Sequence, residues 1–507
     1  MHVGLGEAVT GPERPATGWL HYASGAGRWV IVATVLGSGM AALDATVVGI
    51  ALPTIGRQLH AGVAALQWVV TGYALTLTGL LLLGGALGDG YGRRRVFMAG
   101  TVWFALASLG CSLAPNAPTL IVARALQGVG AALLTPGSLS ILQASFVPDD
   151  RSRAIGAWSG LGGLATAVGP FLGGWLISAL SWRLIFLINL PLALGVVAIS
   201  ARYLPESSDP TASRRLDAPG AALVTLGLIG VVYGLIQGPE LGWGSPLTLT
   251  ALLGGAGLLL AFALVEARGA HPMLAPAMFR STQFSAANAV TFVVYGGLGG
   301  ALFLLPIQLQ QVTGYSPLAA GAALLPVTFL MLVLSSRSGA LAARIGPRLQ
   351  MSVGPLVVAA GLALSARIGA SAGYVTDVLP AVAVLGLGLA ITVAPLTSTV
   401  LAAVPAEHSG IASAVNNDVA RAAGLVAVAV LPVATGITGD SYLHPEAFSS
   451  GFHLAVLLAA GACALGGLLA GVTIRGPAGG RPGREERGLH CALEAPPLRG
   501  DDRPPGR

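Results

Sequence analysis

The chain has 507 residues, of which 54% are hydrophobic and only 9% charged, with a mean hydropathy of +0.77. A soluble domain carries roughly a quarter charged residues, so a water-solvated globule is excluded and a lipid bilayer must surround most of the chain. The net charge of +6 rests on 27 basic residues, all arginine, and most fall in loops and tail instead of one basic face, which argues against a nucleic-acid partner.

Residues 1–28 form a polar N-terminal tail. The apolar run that follows is too long for a signal-peptide core and is read as a retained helix. About 20 apolar residues cross a bilayer. Fourteen such runs follow, at 29–52, 66–88, 97–114, 118–142, 154–180, 184–204, 218–238, 247–265, 284–306, 317–341, 350–369, 378–402, 409–436 and 451–474. Residues 475–507, rich in Pro and Arg, read as a disordered tail. Cys111 and Cys463 lie in apolar runs and Cys491 in the tail, with no metal or disulfide spacing.

Alternate loops differ sharply in arginine. With a cytoplasmic N-terminus, the inside loops hold Arg93, Arg94, Arg95, Arg151, Arg153, Arg202, Arg214, Arg215, Arg268, Arg280, Arg344 and Arg348, and the outside loops hold Arg57, Arg183 and Arg367. The positive-inside rule then puts both termini in the cytoplasm.

The run GALGDGYGRRR, Gly85 to Arg95, returns in the second half as SGALAARIGPR: Gly85 matches Gly339, Gly92 matches Gly346 and Arg94 matches Arg348. The run from Leu126 to Ser152 likewise resembles that from Leu385 to Ser409, with Gly128 and Gly130 matching Gly386 and Gly388. Helices two and four therefore recur as ten and twelve. The expected architecture is an all-α polytopic protein with six-helix bundles at 29–204 and 284–474 and an inserted pair at 218–265. Such bundles rock about a cavity at the bilayer midplane.

Charges at bilayer depth cost about 2.5–3.5 kcal/mol on insertion scales and are functional candidates by default. Asp44 in helix one and Arg124 in helix four lie roughly 15 and 9 Å from the outer ends of their spans at 1.5 Å per residue, and we expect them to face each other. A carboxylate beside a guanidinium and partly buried can take and release a proton; a fixed ion pair that only joins helices is the plainer alternative. Gln127, one turn on, is placed to hydrogen-bond Arg124. Helix thirteen carries Asn416, Asn417, Asp418 and Arg421, with Asp418 and Arg421 on one face. They read either as a cavity wall for polar parts of a substrate or a second proton site, or as a self-neutralising anchor. Trp182 at the start of helix six reads as a headgroup anchor.

Taken together, LDATVVGIALP (43–53), GALGDGYGRRR, ARALQGVGAA (123–132), VGPFLGGW (168–175), SWRLIFLINLP (181–191) and GIASAVNNDVARAAG (410–424) resemble the fourteen-span drug–proton antiporters of the major facilitator superfamily, the EmrB/QacA-like type. The resemblance covers nearly all of 29–474. It implies proton transfer at Arg124 and coupling or cation binding at Asp44. It also implies a gating loop of Gly85, Asp89, Gly92, Arg93 and Arg94 that latches helices in the outward-facing state, and an antiporter motif of Gly169, Pro170, Gly173 and Gly174 that seals the outward path. The chain departs from the family at Gly49, Gly90 and Ala165, where Asn, a basic residue and Gly are usual.

The function expected is a monomeric exporter in the bacterial inner membrane. It expels lipophilic small molecules, cationic ones among them, driven by the proton gradient, with no cofactor and no metal. The glycine-rich phosphate loop and its lysine are absent, and no catalytic motif is present, so ATP drive and an enzyme are disfavoured. An exporter of an endogenous metabolite, or a sensor or scaffold that has lost transport, stays open.

Overall fold

The structure, a computed structural model, describes residues 19–208, 217–269, 276–405 and 409–475. Most of both expected tails, and the loop arginines Arg214 and Arg215, lie outside the described residues. Fourteen helices are long and apolar enough to span a membrane: α1 Gly25–Leu59, α2 Val63–Tyr91, α3 Arg93–Leu113, α4 Ala117–Ser145, α5 Pro148–Ala179, α6 Leu184–Tyr203, α7 Ala218–Leu241, α8 Pro246–Arg268, α9 Thr282–Val312, α10 Pro317–Ile345, α11 Pro347–Ser365, α12 Tyr374–Ala402, α13 Gly410–Ala434 and α14 Pro445–Thr473. Helices satisfy every backbone group internally, which lipid demands.

Side-chain caps set several starts. Ser24, Asn116, Asp217, Ser245, Ser281 and Ser316 each accept a hydrogen bond from the backbone N–H three residues on. Most spans run past the expected bounds, because amphipathic ends continue the helix where hydropathy falls off. The arginines expected in a loop at 93–95 form the first turn of α3, and the α2–α3 junction is Gly92 alone, at φ +111°. Its cognate Gly346 joins α10 to α11 at φ +85°. Both angles favour glycine.

Two six-helix bundles, α1–α6 and α9–α14, repeat one packing scheme: α2 and α3 pack on α4 as α10 and α11 pack on α12, and α5 packs on α1 as α13 packs on α9. Cognate glycines do cognate work. A Cβ at Gly128 would strike the Tyr73 carbonyl of α2, and one at Gly386 the Val327 backbone of α10. Gly130 meets Phe104 of α3 as Gly388 meets Val358 of α11. Small residues let membrane helices close to backbone contact. The inserted helices α7 and α8 pack on each other, and α7 also lies against α2 and α13.

Every hydrogen bond joining the bundles, among the described residues, lies towards the ends of the helices remote from Gly92. There Gln310 donates to the Ile50 carbonyl (2.9 Å), Gln67 to Val428 (2.6 Å), the Val63 N–H to Gly439 (2.8 Å) and the Tyr442 hydroxyl to Ala61 (2.9 Å). Burial raises the Tyr442 hydroxyl above its ordinary pKa, so it stays a donor. This far face is sealed. The opposite face, where Gly92 and the arginines of α3 lie, carries no such bond among the described residues. On α5 the glycines Gly156, Gly160, Gly162 and Gly163 border open space: a Cβ at any of them would meet nothing within 4 Å.

Candidate functional site

The centre of the first bundle is a sealed polar cluster. Asp44 and Arg124 are each 1% exposed and Gln127 is fully buried. Arg124 Nη1 lies 2.5 Å from Asp44 Oδ2. Asp44 Oδ1 accepts from Gln127 Nε2 at 2.8 Å and from Asn189 Nδ2 of α6 at 3.3 Å. Gln127 returns its oxygen to Arg124 Nη1 (2.5 Å), and Ser108 of α3 accepts from both amides, at 2.8 Å from Gln127 and 3.2 Å from Asn189. Arg124 Nε donates to the Val69 carbonyl of α2 (3.0 Å), and its guanidinium stacks 4.3 Å from the Tyr73 ring. Five helices thus converge on one cluster, and its carboxylate accepts three donors from α4 and α6, which is the coordination a buried anion needs in place of water.

The sequence picked out Asp44, Arg124 and Gln127 but not Ser108 or Asn189. The signal for Asn189 was present, since an amide inside the apolar run of α6 is costly unless partnered. Ser108 gave no signal, because serine also satisfies itself on its own helix.

Tyr73 separates this cluster from a cavity of about 300 Å³ lined by Ser38, Ala41, Tyr73, Trp158, Thr166 and Arg421, among others. Trp158 donates to Ser38 at 2.9 Å, and the Tyr73 hydroxyl to the Ala41 carbonyl at 3.3 Å. Arg421 is the one charged lining group among the described residues, and it reaches across from the second bundle. It makes no ion pair with Asp418, whose Oδ1 is buried without a hydrogen-bond partner in a separate cavity. The two side chains leave α13 towards different spaces, so the guanidinium acts on Asp418 only at a distance and not as a contact pair. Asn416 does not face the cavity either. It donates to Asn288 (3.1 Å) and Thr291 (2.7 Å) of α9, while Asn417 bonds its own helix at the Ser413 carbonyl (2.8 Å).

At the arginine face Asp89 pairs with Arg93 one turn on, at 2.8 Å. Arg94 donates to the Ala201 carbonyl (2.6 Å) and its backbone N–H to Glu206 (3.1 Å), while Arg95 sits 3.5 Å from Glu206. These contacts tie α2, α3 and the end of α6 within one bundle, with none across to the second. Glu206, missed in the sequence, is the acid on which this corner turns; a Cβ at Gly92 would lie 2.7 Å from its carboxylate. A Cβ at Gly85 would lie 3.6 Å from Pro136 of α4.

The α5 motif forms a seam. Gly169 and Gly173 admit Thr46 and Val47 of α1, Gly174 meets the Pro317–Leu318 backbone of α10, and the Pro170 carbonyl fills the space at Gly321. Gly321 was not singled out in the sequence, because its role depends on a partner in the other bundle. Trp182 is a correction: fully buried, it donates to Gln58 at 2.8 Å and clasps α1, not the headgroups. No group of three or more metal-ligating side chains occurs among the described residues.

The sequence profile of the Major Facilitator Superfamily matches residues 34–429. The chain is 37% identical over 463 residues to a puromycin resistance protein of Streptomyces alboniger, covering 88% of this chain and 91% of that one. It is 36% identical over 403 residues to a tetracenomycin C resistance and export protein of Streptomyces glaucescens, covering 80% and 75%. Among solved structures, a bacterial homologue of the human lysosomal transporter Spinster, inward-facing and unoccupied, superposes with a TM-score of 0.64 at 16% identity, covering 89% of this chain and 97% of that one.

Proposed function

The chain belongs to the Major Facilitator Superfamily, a family of transporters and not of enzymes, and on that footing we propose that it is a proton-driven exporter of lipophilic small molecules of antibiotic size. Its relatives confer resistance to such compounds or export them. The observation that carries the coupling is the buried Asp44–Arg124 pair with its Gln127, Ser108 and Asn189 partners, screened from the cavity by one aromatic ring.

Taking the arginine face as cytoplasmic, the arrangement described is open to the cytoplasm and sealed outside. Substrate enters beside Tyr73, Trp158 and Arg421. Protonation of Asp44 cancels its charge and leaves Arg124 without a counter-ion at bilayer depth, at a cost of about 2.5–3.5 kcal/mol on insertion scales. That cost is relieved only by repacking α1 against α4, and this links the proton to the tilt of the bundles. One pH unit supplies about 1.4 kcal/mol per proton, so a gradient of roughly two units matches that cost. The α5–α10 seam at Gly174 and Gly321 is the contact that must part for the cavity to open outward.

The test is efflux from proteoliposomes under an imposed pH gradient, with puromycin as one cargo. Gradient-driven flux should vanish in Asp44→Asn and Arg124→Gln while downhill exchange persists. Flux indifferent to the gradient in the unmodified protein would remove the antiport reading.

A further inference from the structure

A second cavity of about 300 Å³ lies where the inserted pair meets both bundles, and it shares no lining residue with the one beside Tyr73. Its wall includes Thr78 of α2, Val224 and Leu228 of α7, Phe262 of α8, Phe279 just before α9, and Asp418 of α13. Among the described residues, only Thr78 and Asp418 line it with polar side chains. Asp418 Oδ1 and Thr78 Oγ1 are both buried without a hydrogen-bond partner.

Buried polar atoms are almost always partnered, and a carboxylate facing apolar walls is costly. A carboxylate oxygen facing an apolar space therefore marks a missing donor, and the unpartnered Thr78 hydroxyl beside it offers a second polar contact. That donor must carry positive charge to suit Asp418, and an apolar body to suit Phe262, Phe279 and Leu228. Arg421, three residues on, acts on Asp418 only through its charge at a distance: it makes no hydrogen bond or ion pair with it and opens onto the other cavity.

We propose that this cavity binds a lipophilic protonated amine, with its ammonium on Asp418 and its ring body against the two phenylalanines. Asp418 lies eight residues into α13, about 12 Å below the arginine face. Amphiphilic amines dissolve in a leaflet with the charge at the headgroups, so this depth is within their reach. Because α2 and α13 belong to different bundles, an occupant favours the arrangement described here over any in which they separate. Such binding is distinct from proton-driven export: it is an equilibrium with no gradient present, and it stands or falls separately.

The experiment uses the full chain in nanodiscs, with empty nanodiscs as background and three near-isosteric fluorescent probes: 2-(1-naphthyl)ethylamine, 2-(1-naphthyl)ethanol and 1-naphthylacetate. The amine should bind saturably and at least about tenfold more tightly than the alcohol or the acid. Asp418→Asn should weaken the amine about tenfold or more and leave the alcohol unchanged. Val224→Trp, which puts an indole into the cavity, should abolish saturable binding of the amine. Equal binding of the three probes, full amine affinity in Asp418→Asn, or binding that survives Val224→Trp would each overturn the site. If Asp418→Asn fails to fold, the probe series and Val224→Trp decide the matter.

Discussion

Removing both members of the Asp44–Arg124 pair should cost little more than removing either one. Arg124→Gln deletes the 2.5 Å contact to Asp44 and the bond to the Val69 carbonyl, and leaves a carboxylate 1% exposed with two amide donors, Gln127 and Asn189. Truncating one partner of a buried pair costs about 3–5 kcal/mol. Asp44→Asn leaves the guanidinium alone at bilayer depth, at about 2.5–3.5 kcal/mol. In the double variant both charges are gone and amides can still bond one another, so the losses should fall short of their sum by about 3 kcal/mol, more than a hundredfold in the folding equilibrium. The assay is reversible unfolding in mixed micelles, run as a double-mutant cycle, with gradient-driven efflux measured on the same preparations. A coupling below about 0.5 kcal/mol would show that the two groups do not depend on each other, and would refute the reasoning.

Four further outcomes are expected. Gly321→Val should hold α5 and α10 apart at the Pro170 carbonyl, cutting transport by more than about tenfold and exposing a cysteine placed at Ser178 to an impermeant thiol reagent; unchanged labelling counts against the seam. Gly92→Ala should destabilise by about 1–2 kcal/mol, because of its φ of +111° and its closeness to Glu206. Glu206→Ala in that background should recover only the steric part, as thermal unfolding will show. Asn416→Ala should lose about 1–2 kcal/mol of stability through Asn288 and Thr291, with the proton-to-substrate ratio unchanged; an altered ratio would return Asn416 to the transport path. Arg421→Gln should shift KM between acidic and neutral substrates with little change in gradient dependence, because Arg421 lines the cavity but does not touch Asp44.

Some of this was legible from the chain alone. A membrane span announces itself by twenty apolar residues, because lipid offers the backbone no alternative to the helix, and all fourteen were read. The twofold repeat was equally plain, since Gly128, Gly130 and Gly92 recur as Gly386, Gly388 and Gly346 wherever backbones touch or turn. The buried charges Asp44 and Arg124 stood out because a charge in lipid is costly unless partnered. What the sequence left open were relations between side chains on different helices. It placed Asp418 and Arg421 on one face by their spacing, yet they serve separate cavities. It took Trp182 for a headgroup anchor, yet Gln58 holds it inside. It passed over Ser108, Asn189, Glu206 and Gly321, each ordinary by residue type. Spacing along one helix fixes only an angle about its own axis. Which neighbour occupies that angle is set by how the helices of both bundles pack, and tertiary structure alone decided it.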